Sequence, residues 1–151
     1  MADLLTHVAV ANLCGKTSKE AQTRSVFIVG TCIPDIAYKG MHLLASSPTW
    51  QAEPSHSPLP LLLLCYGLAL LFVESFRKRA FTALYLGGLL HILIDLGKNY
   101  FGQGVILWGF PFTMDRIELG LYRPEQAVYM MGGALLLFLL TELIFRKTRP
   151  L

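Results

Sequence analysis

The stretch LLHILIDLG, Leu89–Gly97, puts a histidine and an aspartate four residues apart in an otherwise apolar run. At the helical period His91 and Asp95 leave the same face, one turn apart. A carboxylate and an imidazole are costly to bury, and inside an apolar helix they face a protein interior or a water-filled cavity rather than lipid. What else reaches that face decides both the fold and the function.

Working outward, residues 80–97 carry the pair and have the length and apolarity of a membrane span, about 17–20 residues. Gly87-Gly88 leaves room for a second helix to come close. Residues 58–76 read as another span, with Ser57 as N-cap and Pro58 at the first helical position. A basic turn, Arg77-Lys78-Arg79, separates the two. Residues 125–145 form a further span. Residues 21–33 form one more, ended by Pro34, which has no N–H and restricts the residue before it. Residues 2–14 pattern as a shorter first helix, about 20 Å long, joined by the polar turn Gly15–Glu20. The stretch 37–57 reads as a loop with a short helix around Met41–Ala45. Residues 97–124 read as a long connection rich in glycine and in aromatics that favour the membrane–water interface. The expected fold class is all-α: one membrane-embedded domain, residues 1–151, with about four spanning helices and a short N-terminal helix.

Composition agrees. Of 151 residues, 54% are hydrophobic and 15% charged, against roughly 25% charged in an ordinary soluble domain. The net charge of +3 is too small, and too scattered, to argue for nucleic acid. Cys14, Cys32 and Cys65 lack metal-ligand spacing and read as reduced, small core residues. Asp3 stands where a signal peptide needs a basic region, and no apolar core follows it.

The positive-inside rule puts Arg77–Arg79 and Arg146–Arg149 on the cytoplasmic side, and with them the C-terminus. Glu74 and Glu142 precede Lys78 and Arg146 by four residues, a spacing for ion pairs at that edge. His56 then begins a span at its outer end, Asp95 ends the next at the same side, and Asp35 follows the second helix there. The first helix brings His7, with Asp3 four residues before it. Five side chains, His7, Asp35, His56, His91 and Asp95, thus converge on the extracytoplasmic half. Histidines with carboxylates suit a divalent ion, zinc above all, with open positions for water. Such an ion lowers the pKa of bound water and polarises a phosphoryl or carbonyl oxygen; Asp35 or Asp95 could act as general base.

Plainer roles exist for each group. His91 and Asp95 can hydrogen-bond each other within a packed helix interface, His56 can be an interfacial loop residue, Asp35 a turn residue, and His7 a core histidine. Asp3 suits a helix N-terminus. Ser57 fits an N-cap better than a nucleophile, His42 sits in the irregular loop, and Trp108 reads as an interface anchor. Haem ligation fits poorly, because only His91 lies well inside a span.

Thr6-His7, Pro34-Asp35, His56-Ser57, His91-x-x-x-Asp95 and Gly104-Val105-Ile106-Leu107-Trp108 occur in an order that resembles the YdjM-like family, described as LexA-binding, inner-membrane-associated metal-dependent hydrolases. The resemblance covers roughly residues 6–112. It implies a membrane-embedded metal hydrolase, and the family's similarity to zinc-dependent phospholipase C implies phosphoester substrates. Two departures stand out. The family's second acid, two residues after the first, is here Ala37, and Pro54-Ser55 precedes His56 where a His-Arg pair is usual. These departures weaken the case for a dinuclear site and keep open an alternative, a non-catalytic accessory subunit of a larger membrane complex.

Overall fold

A computed structural model describes residues 4–44, 53–99 and 106–148. It is all-helical, as composition and patterning require. The helices are α1 (Leu4–Gly15), α2 (Ala21–Leu44), α3 (Pro58–Ala69), α4 (Glu74–Leu96) and α5 (Ala127–Thr148), with single 3-10 turns at Glu53–His56 and Pro124–Gln126. Between α4 and α5, β1 (Ile106–Leu107) pairs antiparallel with β2 (Arg116–Ile117).

The α2–α4 pair is the spine of the fold, and α3 and α1 pack against it. Two glycines make the crossing tight. A Cβ on Gly87 would lie 2.1 Å from the Phe27 carbonyl oxygen, and one on Gly30 would lie 2.4 Å from that of Leu84. Only hydrogen fits at either position, so the two backbones meet directly. Gly88 receives the Leu61 side chain of α3. Val26, Ile33, Leu61, Leu84 and Ile92 fill the core around this crossing.

Several boundaries differ from the sequence reading. Pro34 does not end α2; it lies buried inside the helix. The cost of its lost hydrogen bond is met by the packing of α2 against α4 on both sides of Gly30. The short helix expected near Met41 is therefore the end of α2, and residues 45–52 lie outside the described part. The basic triplet is not a turn either. Lys and Arg are good helix formers, so Arg77–Arg79 sit in the first turns of α4, and the chain reverses at 70–73 instead. Helix α3 is consequently shorter than expected. Cys65 is buried in the core, whereas Cys14 is exposed. Glu142 pairs with Lys16 at 2.9 Å and accepts from Asn12 Nδ2 at 3.3 Å; the side chain of Arg146, its expected partner, lies outside the described residues. Glu74 and Lys78 make no ion pair among them. Arg79 bonds Glu20 at 2.7 Å, and Thr23 together with Arg79 holds that exposed carboxyl below its ordinary pKa.

Among the described helices, α4 alone is long and apolar enough to cross a membrane; α1, α3 and Val128–Ile144 are apolar but shorter. Helix α5 packs chiefly on α1 and leaves Leu136, Leu139, Leu140 and Leu143 exposed.

Gly87→Ala is expected to destabilise the fold by about 1–3 kcal/mol, the range for overpacking, because the obstructing atom is backbone. Gly132→Ala in α5, where a Cβ meets nothing within 4 Å, is expected to be neutral or stabilising by up to about 1 kcal/mol. Thermal unfolding followed by circular dichroism compares the two.

Candidate metal centre

The α2–α4 crossing carries the C-terminal end of α4 up to the second half of α2, and both ends of the cluster follow from that. Asp35 comes from α2, His91 and Asp95 from α4, His7 from α1, and His56 from the 3-10 turn before α3. Asp95 is the hub. Its Oδ1 lies 3.2 Å from His7 Nε2, and its Oδ2 lies 3.3 Å from His91 Nε2 and 3.8 Å from His56 Nε2. Asp35 Oδ1 is 3.6 Å from His56 Nε2 and 3.8 Å from His91 Nε2. The His7 and His91 rings stack at 4.0 Å. His7, His56, His91 and Asp95 are buried, and Asp35, with 16% of its side chain exposed, is where the cluster opens outward.

All three histidines turn Nε2 toward the carboxylates. Two overlapping triads, His7–His91–Asp95 and Asp35–His56–His91, each bring their ligand atoms within 4.8 Å of one another. Donors bound to one ion at about 2.1 Å sit roughly 3.0–3.5 Å apart in octahedral or tetrahedral geometry, close to the spacings here. His91 is fully buried, and among the described residues neither ring nitrogen has a hydrogen-bond partner of good geometry. A buried polar atom left so is costly, and a cation on the Nε2 side supplies the partner. The residues present therefore fit a metal ion.

The supports of His56 were not legible in the sequence. Ser55 Oγ lies 3.0 Å from His56 Nδ1. If Nδ1 carries the proton and donates to Ser55, Nε2 presents its lone pair to the cluster, the usual outer-sphere arrangement for a ligating histidine. The Tyr38 ring stands edge-on to His56 at 5.7 Å. The buried pair Ile106–Leu107 packs against the 3-10 turn that carries His56. Ser57 occupies the N-cap position of α3, but its Oγ makes no capping bond and is buried without a hydrogen-bond partner among the described residues. His42 is exposed in the last turn of α2, against Tyr38 and away from the cluster. Trp108 is exposed. Asp3, Gly104 and Val105 lie outside the described residues.

One functional-looking residue is absent from the sequence reading. Lys98, just past α4, is buried and places its ammonium directly on Asp95 Oδ1. A lysine is almost never buried unless paired. The signal available beforehand was weak: a cation three residues after Asp95, beyond the end of an apolar helix.

Comparison with family models, curated proteins and solved structures gives no match.

Ser55→Ala is expected to cost about 10–100-fold in zinc affinity, the usual loss when an outer-sphere partner of a ligand is removed. His42→Ala is expected to leave it unchanged. Isothermal titration of the chelator-stripped protein with zinc measures both.

Proposed function

We propose that this chain is a membrane-embedded, metal-dependent hydrolase of a phosphoester, presented by a lipid or another amphipathic molecule. One observation carries the reading: three histidines and two carboxylates from four separate segments converge in a buried cluster beside an apolar helix. Nothing in helix packing alone requires five such groups to meet, and each is costly to bury. The resemblance to the YdjM-like family points to the same class.

In this reading α2, α3, α4 and α5 contribute four passes through the inner (plasma) membrane, with the C-terminus cytoplasmic. Apolar α4 and the exposed leucines of α5 support embedding in lipid. The cluster then lies toward the extracytoplasmic side, at the opposite end of α4 from Arg77–Arg79.

His7, His91 and Asp95 would hold the ion, with His56 completing the set. When bound, a divalent ion supplies Lewis acidity toward a phosphoryl oxygen and makes a water acidic enough to attack at neutral pH. Asp35, the most exposed of the five, takes the proton of the attacking water on its carboxylate. Ser55 keeps His56 oriented, and the buried walls around His91 exclude competing water.

The second reading, an accessory subunit of a larger membrane complex with a degenerate site, is favoured by Lys98. An ammonium already on Asp95 can serve as internal counter-ion without any metal.

Asp95→Asn keeps shape and removes charge. For the hydrolase, it is expected to abolish zinc binding and to lower turnover of a bis-phosphoester or phospholipid substrate by at least about a hundredfold, with the protein still folded. For the accessory subunit, the same variant is expected to lose only its association with a partner complex. Elemental analysis, a broad phosphoesterase assay and size-exclusion of the native complex separate the two. Zinc-loaded wild type that turns over nothing, while co-purifying at fixed stoichiometry with other subunits, would sink the enzyme.

A further inference from the structure

We propose that Lys98 is the exchangeable counter-ion of this centre. Its ammonium neutralises Asp95 while no metal is bound. Once a divalent ion takes Asp95, the same ammonium turns to receive the phosphoryl oxygens of the substrate. The proposal rests on the metal-hydrolase reading and assigns substrate binding within it.

The first observation is competition for one acceptor. Lys98 Nζ sits on Asp95 Oδ1, the oxygen that His7 Nε2 approaches at 3.2 Å. An ion shared by His7, His91 and Asp95 draws on that same carboxylate. Ammonium and metal ion are therefore alternative partners for Asp95, and binding one loosens the other.

The second is charge. With neutral imidazoles, Asp35, Asp95 and Lys98 leave the cluster one net negative charge, in surroundings where unbalanced charge is expensive. A divalent ion reverses this to one net positive charge. An anion then becomes the favoured guest, and a phosphoryl group is an anion whose oxygens accept from an ammonium. The opening at Asp35, the least buried acid of the set, is where such a guest can enter.

The third is mechanical. The backbone at Lys98 is held from both sides, and its side chain is held at the ammonium by Asp95. Lys98 N donates to Asp95 O at 3.0 Å, Asn99 N to Tyr122 O at 2.9 Å, Leu119 N to Leu96 O at 2.7 Å and Leu121 N to Gly97 O at 2.8 Å. This strap of residues 119–122 anchors the start of a four-carbon stem whose ammonium can swing between neighbouring acceptors. Among the described residues Asp95 alone accepts a hydrogen bond from that ammonium, so releasing it breaks no wider network there.

A purely structural ion pair makes different predictions, which zinc and phosphate titrations expose. Chelator-stripped wild type, Lys98→Met and Lys98→Arg are titrated with zinc chloride, and the zinc-loaded proteins then with inorganic phosphate. Lys98→Met is expected to bind zinc about tenfold tighter or more, because a competing cation is gone. It is expected to bind phosphate about tenfold more weakly, whereas Lys98→Arg retains phosphate binding. If Lys98→Met melts early without metal, zinc is expected to raise its Tm by more than it raises that of wild type, since the ion takes over the lost counter-charge. Zinc affinity that is unchanged or weaker in Lys98→Met, or a variant that stays unfolded in saturating zinc, overturns the exchange. Tighter zinc with unaltered phosphate binding overturns the substrate role. Wild type that binds no zinc at all removes the hydrolase reading itself, a result distinct from the other two.

Discussion

Asp95 is a carboxylate that the fold has taken out of water, and much of the structure consists of what must be done about it. Four cationic or hydrogen-bonding groups approach its two oxygens: His7 and Lys98 at Oδ1, and His91 and His56 at Oδ2. They come from the first helix, the turn before α3, α4 itself and the residues just past its end. A buried charge that loses its partners costs several kcal/mol. These segments are therefore tied together by the need to neutralise one residue as well as by apolar packing.

That electrostatic hub depends on a steric one. Gly30 and Gly87 let α2 and α4 touch backbone to backbone. Asp35 lies five residues beyond Gly30, and His91 four residues beyond Gly87, so both are carried from the same crossing toward the same end of the bundle. A wider crossing would pull Asp35 on α2 away from His91 on α4, the residue that the two triads share. The centre is set less by its own residues than by two hydrogens where side chains would otherwise be.

The sequence disclosed the helical class and the five residues that come together, because those signals are local. HxxxD is a one-turn spacing, and charged groups stand out in apolar runs. It disclosed less about boundaries. Pro34 reads as a stop and Arg77–Arg79 as a turn, yet tertiary packing carries α2 through the proline, and basic residues serve well in the first turns of a helix. Lys98 and Ser55 were hidden for a different reason. Each acts through a neighbour, and only the folded chain shows that Lys98 turns back into the protein rather than out to solvent, or that Ser55 meets the back of the His56 ring.

The continuation of α2 past Pro34 also changes what Ala37 means. In an extended or turn conformation, an acid two residues after Asp35 could reach the same ion. In a helix, positions two apart point about 200° apart. Ala37 accordingly lies with Val29, Ile33 and Leu68 along an apolar groove between α2 and α3, on another face from the cluster. A carboxylate at position 37 would enter that groove rather than the centre. In this fold the alanine costs the site no ligand, and the cation beside the carboxylates is the ammonium of Lys98 on Asp95. On the proposed reading the centre would hold one ion beside the exchangeable ammonium of Lys98, a pairing that would bring two cationic groups to a phosphoryl substrate with a single metal.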